Sequence, residues 1–472
     1  MKNIAFLLLF LPMSLFASKG LTEDSLSYSH FGVVHIIRNQ NPPEGVLIYI
    51  SGDGALNRAA LNMARPFADM NVIVIAVNYV HFIRSLNRTD EKCLYPAGDF
   101  ENLSMFIQKK LKLKKYFKPI LVGFSSGATR AYALLVQAPA NTFKGAIGIG
   151  FCPDVKSAKP FCPGNGLKSH VLKPGKSFYL DRYEKLTAPF IVFQGDRDLI
   201  CDAAQDNAFV KGMKNAEIYN LPTVGHGFAI QSKWMPQMKE AVKKIIDAQT
   251  FGNKAPIETT PGVNTAAISQ LPLYLIKAAD NPEKPMCIVI SGDGGWTDFD
   301  QSIAEALAKN GISCVGLDTQ KYFWEAKTPD QTAQDITKVL QYYLPRLQKT
   351  NFMLVGYSFG ADVIPFIANR LPADLKKRLT MVAMLSPDNK TDFEVTISSM
   401  LDLGTEDAYD VLKEIKKVNY TKKLCIFGSE EDDEDMAKSF KSNGAEITVL
   451  GGGHHYDDNY PLIVSTILKH LQ

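Results

Sequence analysis

Two serines lie in G-x-S-x-G pentapeptides, Ser125 in GFSSG and Ser358 in GYSFG. Each pentapeptide follows a short apolar run, Pro119–Val122 or Asn351–Val355, and precedes a stretch with helical character. A strand, a sharp turn with serine at its apex and a helix together lift a hydroxyl above a parallel sheet. The same turn leaves the next backbone N–H free to face an oxyanion. The pattern therefore predicts a nucleophilic serine that transfers acyl groups.

The motifs of the first half return in the second half. YISGDG returns as VISGDG, LVGFSSGA as LVGYSFGA, FIVFQGDRD as KLCIFGSEED and VGHGF as GGHHY. The offsets lie between 228 residues, from His226 to His454, and 240 residues, from Gly52 to Gly292. Nearly constant offsets over four motifs indicate a tandem duplication rather than chance similarity.

Apolar strand-like runs alternate with helical stretches in both halves, which predicts parallel sheets covered on both faces. We expect two tandem α/β-hydrolase-like doubly wound sheets with helices on both faces. The predicted division of the 472 residues is a signal peptide at 1–18, a first domain at 19–250, a linker at 251–270 and a second domain at 271–472. The linker prediction rests on the Pro, Gly, Thr and Asn content of that stretch.

The amino terminus has the pattern of a secretory signal peptide. A positive start, Met1–Asn3, precedes the apolar run Ile4–Leu11, and small residues suit cleavage after Ala17 or Ser18. The alternative is an uncleaved anchor, but the run is short for a bilayer. We expect export to the periplasm and no transmembrane span elsewhere. The net charge of +3 is too small to indicate a nucleic-acid partner.

The seven cysteines divide into two groups. In an oxidising compartment the four of the first half can pair, and Cys152–Cys162 is the simplest expected bridge because one turn separates the two residues. The three of the second half lie in strand-like runs and are expected to be buried core residues. No metal-ligand spacing occurs, so we predict no zinc site and no cofactor. The remaining cysteines are Cys93 and Cys201, then Cys287, Cys314 and Cys425.

A hydrolase triad runs serine, acid, histidine along the chain, and the second half follows this order. Its acid should follow the strand-like run Lys423–Phe427, where several carboxylates compete. We select Glu431 because it lies three residues beyond Gly428, as Asp198 lies three beyond Gly195. His454 is the expected base because it aligns with His226. The alternatives that stay open are Glu430, Asp432 and Asp433 for the acid and His455 for the base.

Two backbone N–H groups should bind the oxyanion of the second half. One is expected from Phe359, directly after the nucleophile, and the other from Asp293 or Gly294 in the loop after the first strand. The first half holds an equivalent set, Ser125, Asp198 and His226, which is either a second active site or a relic that keeps the fold.

The second half also resembles a known family. VISGDGGWTDFDQSIAEAL, GISCVGLDTQKYFWEAKTPDQTAQD, LVGYSFGADVIPF, LSPDNKTDFEV and GGGHHYDDNY are similar to segments of bacterial virulence proteins of the AcvB/VirJ family. Two-domain members of that family are periplasmic hydrolases that release lysine from lysyl-phosphatidylglycerol. The resemblance implies Ser358 and His454 as family catalytic residues and an aminoacylated phospholipid at the membrane surface as the partner.

We expect the substrate's ammonium groups to be received by carboxylates and its headgroup by an aromatic pocket. Two other functions remain open at this stage. One is a general carboxylesterase similar to dienelactone hydrolase, and the other is a non-catalytic periplasmic accessory protein of a secretion or virulence apparatus. The expected carboxylates are Asp293, Asp298, Asp457 and Asp458, and the expected aromatic residues are Trp296, Tyr322, Phe323 and Trp324.

Overall fold

The computed structural model describes residues 20–248, 266–279, 281, 283–396, 409–431 and 434–471. The predicted signal peptide, residues 1–18, lies outside these residues, and so does most of the predicted linker. The last linker residues include a helical turn, Ala266–Ser269. Within the described ranges, no helix combines the length and apolar character that crossing a bilayer requires.

The first half is built on one eight-stranded sheet with the strand order β1-β2-β4-β3-β5-β6-β10-β11. The strands from β4 to β11 run parallel, whereas β1 and β2 are antiparallel to their neighbours. A separate three-stranded sheet, β7-β9-β8, is inserted after β6. The strands are β1 Thr22–Tyr28, β2 Gly32–Arg38, β3 Gly45–Ile50, β4 Val72–Val77, β5 Ile120–Phe124, β6 Gly145–Ile149, β7 Asp154–Lys156, β8 Ser169–Lys173, β9 Ser177–Leu180, β10 Phe190–Gly195 and β11 Ala216–Leu221.

The second half repeats this plan with a seven-stranded sheet of order β12-β14-β13-β15-β16-β19-β20. Only β12 is antiparallel to its neighbour. β17 and β18 form a short separate ladder. The strands are β12 Leu273–Ile276, β13 Met286–Ile290, β14 Cys314–Leu317, β15 Phe352–Tyr357, β16 Leu379–Leu385, β17 Lys390–Thr391, β18 Tyr409–Asp410, β19 Lys422–Gly428 and β20 Glu446–Leu450.

Helices cover both faces of each sheet. Alternate residues of each central strand therefore pack into two different apolar cores, one on each face. Ile48 of β3 packs on one face, for example, and Leu47 and Tyr49 pack on the other. The predicted tandem doubly wound fold is confirmed. The helices are α1 Arg58–Ala64, α2 Tyr79–Leu86, α3 Pro96–Lys110, α4 Ser126–Gln137, α5 Ala203–Val210, α6 Met235–Asp247, α7 Ala266–Ser269, α8 Asp298–Lys309, α9 Thr319–Tyr322, α10 Pro329–Arg346, α11 Phe359–Arg370, α12 Ala373–Lys376, α13 Val411–Lys417, α14 Glu434–Ser442 and α15 Tyr460–Leu471.

The disulfide prediction was wrong. Cys162 pairs with Cys93 and Cys152 pairs with Cys201, so no bridge joins Cys152 to Cys162. The prediction paired the two cysteines that are closest in sequence. The sequence does not reveal that the Cys152 loop and the loop after β10 meet at the carboxyl edge of the sheet, where Cys152 pairs with Cys201. The three cysteines of the second half are free and buried, as expected.

The two halves contact each other along α3. Lys109 forms an ion pair with Glu394 at 3.0 Å, and the Trp324 indole N–H donates to the Leu113 carbonyl at 2.7 Å. The Trp324 ring packs 5.0 Å from the ring of Tyr116. Trp324 therefore serves the interface between the halves.

Candidate active sites

Both predicted serines occupy strained turns. Ser125 has φ 54° and ψ −124°, and Ser358 has φ 51° and ψ −124°. A side chain at positive φ is costly and persists only where the surrounding structure enforces it. Each turn is fixed by a hydrogen bond from the serine N–H to the neighbouring strand, at Ile149 O or Leu385 O, both 2.8 Å.

The glycines of each pentapeptide are required by close backbone approach. A Cβ on Gly356 would lie 2.3 Å from Gly360 O, and one on Gly360 would lie 2.2 Å from Ile290 O. Both distances are shorter than real contacts, so the helix can follow the strand this tightly only without side chains there. The first half shows the same contacts. The duplicated motif thus builds the same strand-to-helix turn twice.

The first half contains a fully connected triad. His226 Nε2 lies 2.8 Å from Ser125 Oγ, and His226 Nδ1 lies 2.8 Å from Asp198 Oδ2. The Asp198 side chain is fully buried, whereas the His226 side chain is 20% exposed. This is the geometry of a nucleophile, its base and the carboxylate that orients the base.

The loop that carries Asp198 is fixed by backbone donors and by a disulfide. The N–H groups of Ile200 and Cys201 each donate to Asp198 Oδ1 at 2.9 Å. Cys201 is bonded to Cys152 in the loop after β6. Asp198, Cys201 and His226 are close enough to suggest metal ligands, but the Cys201 sulfur is in the disulfide and both His226 nitrogens bond within the triad. The contacts of the cluster are therefore those of a hydrogen-bonded triad rather than those of a metal site.

The second half brings its predicted acid and base together. His454 Nδ1 lies 2.5 Å from Glu431 Oε1. The Glu431 N–H bonds to Gly428 O, as the Asp198 N–H bonds to Gly195 O, so the two acids are structurally equivalent. Among the described residues, no hydrogen bond joins Ser358 to His454. The triad is open at its serine end, a state that is common before substrate binds.

The alternatives to these residues have other surroundings. His455 packs against the rings of Phe299 and Tyr357, 5.3 Å and 5.9 Å away between ring centroids. The Glu430 side chain makes no hydrogen bond in the described part of the chain, and Asp432 and Asp433 lie outside it. Of the described candidates, Glu431 and His454 form the pair.

Ser386 and Tyr456 were missed by the sequence analysis. The Ser386 hydroxyl donates to Glu431 Oε2 at 2.9 Å and lies 2.6 Å from the Tyr456 hydroxyl. The first half has Gly150 and Phe228 at these places, and a Cβ on Gly150 would lie 3.3 Å from the His226 ring. A comparison of the repeats could have shown the paired exchange, but not that the Ser386 hydroxyl reaches the acid while the Tyr456 hydroxyl bonds to Ser386.

Burial alone would raise the pKa of Glu431. The hydrogen bonds from His454, Gly428 and Ser386 outweigh it and hold that pKa below its usual value. The group therefore keeps its negative charge down to lower pH than an isolated glutamate, and its support of His454 is lost as pH falls through the lowered pKa.

We expect Ser386→Ala to lower kcat for the second site by about tenfold, since a hydrogen bond to a charged group contributes roughly 1.5–3 kcal/mol. Loss of this donor raises the pKa of Glu431, so the acid limb of the pH–rate profile should move to higher pH. Ser429→Ala, at an exposed serine in the same loop, is the matched control. An unchanged acid limb in Ser386→Ala would show that the hydroxyl does not support the carboxylate.

The predicted oxyanion donors differ in whether their N–H groups already donate a hydrogen bond within the protein. Phe359 begins α11, so its N–H has no intrahelical acceptor. The Gly294 N–H already donates to Asp293 Oδ1 at 3.0 Å, whereas no partner takes the N–H of Asp293 within the described residues. A Cβ on Gly292 would lie 3.7 Å from Ser358 Cβ, so the loop passes beside the nucleophile. The geometry favours Phe359 and Asp293 over Gly294.

The expected aromatic pocket is not formed. Trp296, Tyr322, Phe323 and Trp324 are 0–5% exposed and belong to the apolar cores. Trp296 stacks on Tyr274 with ring centroids 5.2 Å apart. The aromatic residues that the sequence offered as a headgroup pocket stabilise the domain and its contact with the first half.

The family comparison matches the second half. Residues 284–472 fit the family described as bacterial virulence protein (VirJ). The second half is therefore similar to proteins of this family. The match covers the Ser358 elbow, the Glu431–His454 pair and the loop around Asp293. A search of curated proteins gave no significant match.

Solved structures with a similar fold include several hydrolases. Est1E from Butyrivibrio proteoclasticus is 17% identical with a TM-score of 0.33, covering 42% of this chain and 93% of its own. A putative dienelactone hydrolase from Klebsiella pneumoniae is 13% identical with a TM-score of 0.34, covering 48% and 100%. The dienelactone hydrolase-like promiscuous phosphotriesterase P91 from metagenomic libraries is 11% identical with a TM-score of 0.33, covering 48% and 98%.

Proposed function

We propose that the second half is a periplasmic serine hydrolase that cleaves the aminoacyl ester of lysyl-phosphatidylglycerol. The observation that carries the proposal is the Glu431–His454 pair at the carboxyl edge of the sheet that presents Ser358. The substrate class is proposed from the resemblance of this half to aminoacyl-phospholipid hydrolases, and the match of residues 284–472 to the virulence-protein family supports it.

The proposed reaction follows from the placement of the groups. Substrate binding brings His454 Nε2 to Ser358, and the base takes the hydroxyl proton as Ser358 Oγ attacks the ester carbon. The N–H groups of Phe359 and Asp293 receive the oxyanion. His454 then protonates the departing glycerol oxygen, and water releases lysine from the serine ester. Glu431 holds Nδ1–H and stabilises the imidazolium.

The charge near Ser358 suits a cationic acyl group. Asp293 follows Gly292 beside the nucleophile, and its side chain is exposed and makes no ion pair among the described residues. Two other expected carboxylates are engaged: Asp298 accepts from the Ala140 N–H at 3.1 Å, and Asp458 accepts from the Tyr460 hydroxyl at 2.9 Å. Asp293 is therefore the best-placed partner for the ammonium groups of a lysyl ester.

The direct test uses purified protein and vesicles of lysyl-phosphatidylglycerol, alanyl-phosphatidylglycerol or unmodified phosphatidylglycerol, with free amino acid and free fatty acid measured separately. We expect lysine release from the first vesicle and no fatty acid from any of them. Release of fatty acid without lysine would replace the proposal with phospholipase activity, and no release at all would refute it.

We expect Asp293→Asn to raise KM for lysyl-phosphatidylglycerol by about tenfold with a smaller effect on kcat. A charge-assisted hydrogen bond contributes roughly 1.5–3 kcal/mol, and the backbone N–H of residue 293 is retained. Asp374→Asn, at an exposed aspartate of α12, is the control for a lost negative charge. A fall in kcat at unchanged KM would mean that Asp293 does not bind the cation.

A further inference from the structure

The first half lies outside the family match and still holds the more completely assembled triad. We propose that Ser125, His226 and Asp198 form a second, independent serine hydrolase site, which takes esters whose acyl group is apolar and carries no cation. The proposal goes beyond the lysyl-ester activity assigned to Ser358 and does not depend on it.

The polar contacts of this triad are those that catalysis requires. A serine needed only for the fold could sit in a relaxed backbone, whereas Ser125 is held at φ 54°, a strained conformation for a residue with a side chain. Its hydroxyl reaches the base, and the base reaches a buried carboxylate with two backbone donors of its own. The partly exposed His226 can exchange protons with substrate.

An oxyanion pocket accompanies the triad. The Ser126 N–H opens α4 and has no intrahelical acceptor. The Asp53 N–H is also without a partner within the described residues, and a Cβ on Gly52 would lie 3.3 Å from Ser125 Cβ. These two N–H groups are therefore the candidate oxyanion donors of this site, in the positions that correspond to those of the second half.

The charge beside the nucleophile differs between the halves. Asp53 occupies the position of Asp293, but Lys156 Nζ lies 3.1 Å from its Oδ2. Burial alone would raise the pKa of Asp53, and the contacts with Ser126, Lys156 and Arg130 lower it instead. The carboxylate of Asp53 stays ionised, and its negative charge is paired with the ammonium group of Lys156. This site therefore lacks the unpaired negative charge that would bind a lysyl group.

Exposed apolar side chains lie next to the triad acid. Leu199 is 94% exposed and Ile200 is 70% exposed, and both directly follow Asp198. The Cys152–Cys201 disulfide and the bonds to Asp198 fix the backbone that carries them. Exposed apolar residues on a fixed loop next to the triad acid offer a contact for an apolar acyl chain.

The reaction balances without any co-reactant except water. The Ser125 Oγ–carbonyl bond forms as the ester C–O bond breaks, and His226 carries the serine proton to the departing alkoxide. Water then cleaves the acyl-serine, and the proton it loses returns through His226 to Ser125 Oγ. The products are an alcohol and a carboxylic acid whose hydrocarbon chain carries no charged group.

The test uses full-length protein with a fluorophosphonate probe and p-nitrophenyl butyrate as an ester without a cation. In Ser358→Ala, we expect the probe to label Ser125, identified by peptide mapping, and at least 70% of butyrate hydrolysis to remain. In Ser125→Ala, butyrate hydrolysis should fall at least 100-fold, whereas lysyl-phosphatidylglycerol hydrolysis should change less than twofold. Ser25→Ala, at an exposed serine of β1, controls for expression and folding.

Two results would overturn the proposal. One is the absence of labelling at Ser125 in a Ser358→Ala protein whose thermal unfolding matches that of wild type. The other is butyrate hydrolysis that disappears in Ser358→Ala and persists in Ser125→Ala. Either result leaves the assignment of Ser358 standing.

Discussion

Replacing Ser358 by alanine is expected to reduce lysyl-phosphatidylglycerol hydrolysis by at least 1000-fold. Without Oγ no acyl-serine forms, and what remains comes from oxyanion stabilisation and binding alone. The fold should be retained, because the turn is fixed by the Ser358 N–H and by the glycines around it rather than by the hydroxyl. Alanine also suits the small space at the apex of the turn.

The measurement is single-turnover release of lysine from vesicles, with thermal unfolding recorded on the same samples. His454→Ala should reduce the rate as strongly, and the double variant should be little worse than either single one, since a triad acts as a unit. Near-wild-type hydrolysis by a folded Ser358→Ala protein would contradict the assignment of the nucleophile.

The strands, helices and turns near the sites could be predicted because each depends on local pattern. The strand-like runs Asn351–Val355 and Lys423–Phe427 correspond to β15 and β19, whose ends differ from them by one or two residues. The antiparallel strands β1, β2 and β12, which extend one edge of each sheet, were not predicted. Which segment pairs with the outermost parallel strand of a sheet depends on tertiary contacts. Neither the apolar content of a segment nor the alternation of strands and helices indicates that pairing.

The acid of the second half could be predicted because the two halves can be aligned, so that the position of Asp198 indicates the position of Glu431. Asp198 and Glu431 each lie three residues beyond a glycine whose Cβ would collide with the histidine loop, at Val224 O or Gly453 O. The glycine is thus tied to the histidine loop by contact, and the acid is tied to the glycine by a backbone hydrogen bond. This coupling explains why counting from the glycine selected the residue that reaches His454.

The supporting contacts could not be predicted, because they join residues that are far apart in sequence. Ser386 reaches Glu431 from the end of another strand, and Lys156 reaches Asp53 from the inserted sheet. Such contacts distinguish the two sites, since the catalytic residues themselves are nearly the same. The proposed chemistry therefore follows from the motifs, whereas the proposed preference for a charged or an uncharged acyl group rests on the surrounding residues.

Changing Glu431 to glutamine is expected to reduce lysyl-phosphatidylglycerol hydrolysis by about 10³–10⁴-fold. The Oε2 position accepts from the Gly428 N–H and the Ser386 hydroxyl, so the glutamine oxygen should remain there. Its amide group then faces His454 Nδ1 and donates to it. That contact selects the tautomer with the proton on Nε2, which cannot accept the proton of Ser358.

The matched control is Glu430→Gln, one residue earlier, where the side chain is exposed and makes no hydrogen bond among the described residues. It removes the same charge from the same loop and should change the rate less than twofold. Glu431→Asp is expected to recover part of the activity, because the carboxylate is kept on a shorter side chain. If Glu430→Gln proved as damaging as Glu431→Gln, the effect would come from the charge of the acidic loop, and the orienting role of Glu431 would have to be abandoned.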